Sequence, residues 1–190
     1  MKTKCITFFY LSICSFFLVG CTAAIPEQYT ELKEYPVVYP DYRGITIPYN
    51  IAPLNIAYEM EGDKFVTELK VDGQVLVMRG KQTDWKLKQW STLLESAKGK
   101  TIELNTYVQS GGAWVKYRPI KWRVAVEPID PYISYRIIAP SYVTYEDLSI
   151  RQRELATFDE QMIYNNMLLS TGKDGQCINC HSYKNYKTDN

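Results

Sequence analysis

Within the stretch Lys64–Gly80, "KFVTELKVDGQVLVMRG", two apolar-alternating runs are joined by Asp72-Gly73. Side chains along a strand alternate between faces, and Asp-Gly supplies the positive-φ pair of a tight turn. This predicts an antiparallel hairpin with one face buried. Just beyond it lies "TDWKLKQWSTLLESAKGK" (Thr83–Lys100), where Leu87, Trp90, Leu93, Leu94 and Ala97 recur at helical spacing. Asp84 is the expected N-cap and Gly99 the expected stop. The helix reads as an insertion in a β-rich chain.

Strands resume with "TIELNTYV", a Ser110-Gly111-Gly112 turn, "AWVKYRPIKWRVAVEP" and the alternating "YISYRIIAP". "ITIPYNIAPLNIAYEM" offers extended segments broken by Pro48 and Pro53. Six or seven strands and one helix are expected between Ile45 and Pro140. The expected fold class is mainly β: a sandwich-like domain over residues 45–145 with one inserted helix. After it, "SIRQREL" is a strand or turn. Thr157-Phe158-Asp159-Glu160 has capping-box spacing, so "FDEQMIYNNMLLS" predicts a helix within a final segment, 146–190.

The chain opens differently. Lys2 and Lys4 precede "ITFFYLSICSFFLV" (Ile6–Val19), an uncharged apolar run of 14 residues, short for a membrane span and suited to a signal peptide over residues 1–20. It ends in Leu18-Val19-Gly20-Cys21, which resembles the lipobox of bacterial lipoproteins. That resemblance implies cleavage before Cys21 and acylation of it, hence a membrane anchor. A plain secretory signal or an uncleaved anchor is the alternative. Residues 22–44 carry three prolines and little periodicity, so 21–44 reads as a tether.

The 190 residues hold 22 basic and 21 acidic side chains; without Lys2 and Lys4 the basic count is 20. So balanced a composition gives no field to attract nucleic acid. No nucleophile elbow, HExxH, phosphate loop or dinucleotide fingerprint occurs, and nothing argues for an enzyme. Asp159-Glu160 are explained as the acidic first turn of the expected helix. Trp85, Trp90, Trp114 and Trp122 suit core packing, with sugar stacking as the alternative.

Cys5 and Cys14 leave with the signal and Cys21 takes lipid, so Cys177 and Cys180 remain, followed by His181, the sole histidine. In CxxCH the two thiols add across the haem vinyl groups and the adjacent imidazole ligates iron. That chemistry takes place outside the cytoplasm, as the signal requires. A CxxC disulfide is the main alternative. A metal site would need a fourth ligand, and a redox dithiol a βαβ setting. Met167 or Met162 is a speculative sixth ligand, placed on the expected helix.

"IPYNIAPLNIAYEMEG", "VEPIDPYISYRIIAPSY", "RQRELATFDEQMIYNN" and "CINCHSYKNY" together resemble the N-terminal region of TolB-like, WD40-like β-propeller lipoproteins of Bacteroidetes with a c-type haem motif. The resemblance runs from about residue 20 to the end. It implies Cys177 and Cys180 as attachment points for one haem c and His181 as its axial ligand. In that family a propeller follows the motif. This chain stops there, so it is expected to be a fragment or to have a separately encoded propeller partner. The expectation is a lipid-anchored, cytochrome c-like envelope protein, on the outer membrane facing the periplasm or cell surface, in electron transfer with a redox partner or within a haem-bearing complex. The alternative is a non-haem lipoprotein that binds a partner or glycan.

Overall fold

The structure is a computed structural model that describes residues 24–138 and 148–169. Its strands are β1 Thr30–Glu31, β2 Val38–Tyr39, β3 Thr46–Ile47, β4 Ala57–Tyr58, β5 Lys64–Val71, β6 Gln74–Arg79, β7 Thr101–Ser110, β8 Ala113–Lys116, β9 Ile120–Val124, β10 Tyr132–Ile137, β11 Ser149–Glu154 and β12 Glu160–Asn165. A helix, α1 (Leu87–Ser96), lies between β6 and β7. The class is mainly β, as expected.

The hairpin forms where the sequence places it. Val71 pairs with Gln74, and Asp72 and Gly73 take φ of 45° and 79°. That double positive φ matches the right-handed twist of the strands it joins. Gly111 and Gly112 (φ 56° and 85°) make the same kind of turn between β7 and β8.

Long β7 organises the main sheet. β5 pairs along one edge, with β6 beyond it. The other edge takes β8 against Tyr107–Ser110 and β9 against Thr101–Leu104. Between those partners the register slips by one residue at Tyr117–Pro119, where Pro119 has no N–H to pair, so one return strand is split in two. Two short N-terminal strands then add in parallel, β1 on β8 and β3 on β9.

One face of this sheet carries Phe65, Leu69 and Val71 of β5, Ile102, Leu104 and Val108 of β7, and Ile120, Trp122 and Val124 of β9, all buried. Onto it pack Trp90, Leu93, Leu94 and Ala97 of the helix region, with Trp85, Val38, Ile47, Ile56 and Tyr58. Trp90 and Trp122 meet edge to face at 6.2 Å, and their indole N–H groups donate to the carbonyls of Ile51 and Tyr42, each at 2.8 Å. Tyr58 Oη sits between Thr67 and Thr106 hydroxyls at 2.6 and 3.0 Å, and burial pushes its phenol above the ordinary range.

The layer opposite the sheet differs from a sandwich. It consists of α1, the two-stranded β2–β4 ribbon and the irregular chain around Ile51–Ile56. Pro48 and Pro53 interrupt the segment expected to supply strands, and only two-residue pieces form there.

Helix α1 matches its predicted apolar positions but not its predicted cap. Lys86 is the N-cap and makes no side-chain capping bond, while Asp84 pairs with Lys86 Nζ at 2.8 Å. Lys86 already has extended backbone (φ −67°, ψ 127°), the geometry a capping serine needs. Lys86→Ser is therefore expected to stabilise the fold by about 1 kcal/mol. An unchanged urea midpoint would contradict it.

From β1 onward, the segment expected to be a tether is part of the fold. Leu32 N–H donates to Lys116 O and Arg118 N–H to Glu34 O, both at 2.8 Å, and Glu59 N–H to Val37 O at 2.9 Å. Val38 is a core residue. A low-periodicity, proline-rich run gives no sign of this, because two-residue strands borrow their order from the sheet edge they join.

β10, β11 and β12 form a separate antiparallel meander. "SIRQREL", expected as a strand or turn, supplies strand β11, whereas "FDEQMIYNNMLLS", expected as a helix within 146–190, is strand at 160–165, and β10 pairs with β11. Thr157 serves a hairpin turn instead of an N-cap: its Oγ1 accepts Asp159 N–H at 3.0 Å and donates to Glu154 at 2.9 Å. Glu160 does not reach back; it accepts Arg151 Nη1 at 2.5 Å and the Tyr135 hydroxyl. A partner strand that pairs Gln161, Met162 and Tyr164 outweighs a local capping signal. The meander is tied to the main body by Asn50, which exchanges two 2.9 Å hydrogen bonds with the Ile129 backbone, and by Ala52 N–H to Leu155 O at 2.7 Å.

Candidate functional site

The two faces of the main sheet are chemically opposite. Registry places Lys64, Val66, Glu68 and Lys70 of β5 beside Arg79 of β6, beside Glu103, Asn105 and Tyr107 of β7, and, across β7, beside Trp114, Lys116, Lys121 and Arg123 of β8 and β9. Six cations thus share a face with two carboxylates. Glu103 is paired with Lys121 at 3.0 Å. Glu68 is buried and accepts hydrogen bonds from Asn105 Nδ2 at 2.9 Å and Tyr107 Oη at 3.3 Å. Burial first, then the Glu68 charge, drive the Tyr107 phenol far above its ordinary value, so it stays a donor.

The N-terminal segment crosses this face. Tyr29 packs edge-on against Tyr107 at 5.2 Å, and Lys116 Nζ lies within 6 Å of both rings, at 5.6 and 5.8 Å. Further along, Ala24, Ile25 and Pro26 line a groove of about 610 Å³ together with Phe65 and Val66. Lys64, Arg79, Lys81 and Trp114 complete its lining. Gly62 sits where a Cβ would run into Val108 and Phe65, so the groove wall requires glycine. The groove's one acid, Asp63, accepts Gly111 N–H at 2.9 Å and is committed to the β7–β8 turn.

Neither a protein-family model, a curated protein nor a solved structure matches the chain.

The reading of each site residue thus rests on this chain's own chemistry. Cys177, Cys180 and His181 lie outside the described residues, as does Cys21. Among the described residues no group of three or more His, Cys, Asp or Glu side chains is arranged to hold a metal ion. Met162 and Met167 are not neighbours on a helix. Met162 is on β12, half exposed, its sulfur meeting the Asn165 amide at 3.4 Å, and Met167 follows the strand with its N–H on Asn165 Oδ1 at 3.0 Å. Three of the four tryptophans are buried, Trp85, Trp90 and Trp122, which removes Trp122 from any sugar-stacking role. Trp114 alone lines an open groove.

Sequence reading missed the groove and the basic face. Overall charge reports a sum near zero. Segregation shows only once pairing registers put β5, β6, β7, β8 and β9 side by side. The alternation of Lys64, Val66, Glu68 and Lys70 was visible, but its neighbours were not.

Proposed function

We propose that this is a lipid-anchored, cytochrome c-like protein of the cell envelope, carrying one covalent haem and serving electron transfer or a haem-bearing envelope complex. The observation that carries the reading is the Cys177-x-x-Cys180-His181 motif, holding the chain's sole histidine, behind an export signal ending in Cys21. Two thiols and one imidazole fit the donor set of haem c, which supplies one-electron redox chemistry when bound. Cys177 and Cys180 would hold the ring and His181 its iron. Of the two candidate sixth ligands, Met162 is the more available, since its thioether is half exposed and weakly engaged. The placement is the outer membrane, facing the periplasm or cell surface, where the protein works with a redox partner or a propeller-containing partner.

Co-expression with a cytochrome c maturation system tests this. The denatured, lipid-processed protein is expected to retain haem stain, and Cys177→Ala with Cys180→Ala to lose it entirely. His181→Ala should alter the axial-ligand spectrum while thioethers still form. Processed, folded protein without covalent haem would refute the reading. A mass two hydrogens below the dithiol would then select the disulfide-bearing binding module, for which the half-buried Trp114 at the groove, and not the buried Trp122, is the candidate stacking tryptophan.

A further inference from the structure

We infer that the groove end of the basic sheet face is a membrane-contact surface that seats phosphate-bearing, anionic lipid headgroups. The inference rests on the acylation of Cys21 and goes beyond it by orienting the domain. Three peptide steps separate Cys21 from Ala24, and a fully extended chain covers at most about 3.6 Å per residue, roughly 11 Å in all. That bound holds for any conformation of the intervening residues. Ala24 itself lines the groove. An acylated Cys21 lies in the membrane interface, so the groove is held against that interface.

The side chains brought there have the matching chemistry. Lys64 and Arg79 are exposed and have no carboxylate within ion-pair distance among the described residues, and Lys81 has only a loose 3.9 Å contact with the exposed Glu61. Asp63 is occupied by the β7–β8 turn. Trp114 adds an amphipathic ring of the kind that settles at headgroup depth. Behind the groove, Lys70, Lys121 and Arg123 extend the positive face by register. A membrane surface bearing anionic lipids attracts each nearby Lys or Arg, by about fivefold in partition per cation, over no more than a Debye length. The acyl anchor lets the cations come within that range.

The test separates this surface from the anchor. The mature chain, residues 21–190 with Cys21→Ser, is mixed with vesicles of phosphatidylglycerol and phosphatidylethanolamine, or of phosphatidylcholine alone. Co-sedimentation is expected only with the anionic vesicles, weakening as salt rises and unaffected by millimolar inorganic phosphate. The triple variant Lys64→Gln, Arg79→Gln, Lys81→Gln should lower the partition about a hundredfold with unchanged circular dichroism. Brominated lipid should quench part of the tryptophan emission, a part that Trp114→Phe removes. Equal binding to phosphatidylcholine, no binding at all, or binding indifferent to the triple variant overturns the inference. Mass measurement of the wild-type mature terminus reports separately on acylation of Cys21.

Discussion

Trp122→Ala is expected to destabilise the domain by about 3–5 kcal/mol, the range for removing a fully buried large aromatic. The side chain has no solvent exposure and lies where β9 meets α1, its ring edge to face with Trp90. Truncation leaves a cavity that the flanking sheet cannot collapse into, because β7 holds β9 in register from Thr101 to Leu104. It also deprives the Tyr42 carbonyl of the indole N–H at 2.8 Å. Trp122→Phe keeps most of the volume and loses that hydrogen bond, so it should cost distinctly less. Trp114→Ala, on the partly open β8 edge, should change the midpoint little. Urea unfolding followed by circular dichroism reads all three. Against a whole-domain stability on the order of 5–15 kcal/mol, the first loss is a large share. A Trp122→Ala midpoint equal to the parent's would mean that Trp122 is not a core residue and would reopen a ligand-stacking role.

The contrast between these tryptophans shows what a sequence carries. Trp122 alternates with Ile120 and Val124 on one strand, and Trp90 keeps helical step with Leu93, Leu94 and Ala97, so periodicity alone marks both as core. Asp72-Gly73 and Gly111-Gly112 announced their turns because each requires backbone that few other residues tolerate. Local signals of this kind were reliable wherever nothing distant competed with them.

They failed where a distant partner decided. The Thr157–Glu160 spacing is a sound helix start, yet Arg151 and Tyr135 take the Glu160 carboxylate and β11 takes the backbone. Asp84 is a sound cap, yet the helix begins beyond it, after Lys86. The basic face is a third instance: each cation was in plain view, but its neighbours come from strands up to about sixty residues away. The residues proposed to attach haem are the reverse case. Their motif is local and legible, and their placement lies outside the described residues.

The second large effect concerns the segment that looked like a tether. Removing residues 22–44, so that Ile45 follows Cys21, is expected to abolish cooperative folding or lower the urea midpoint by more than half. The deletion takes away β1 and β2, the backbone bonds at Leu32, Glu34 and Val37, and the buried Val38 side chain. It removes Tyr42, whose carbonyl satisfies the Trp122 indole, and Tyr29, which covers Tyr107 beside the buried Glu68. Burying Val38 alone contributes about 1.5–3 kcal/mol, and each net hydrogen bond about 1 kcal/mol, so the sum rivals the stability of the whole domain. A tether would behave otherwise, since cutting it leaves thermal and urea midpoints where they were. The outcome also bears on orientation. If 24–44 is structural, only residues 22 and 23 stand between Cys21 and the fold, so the proposed acylation of Cys21 would hold the domain close to the membrane by its basic face.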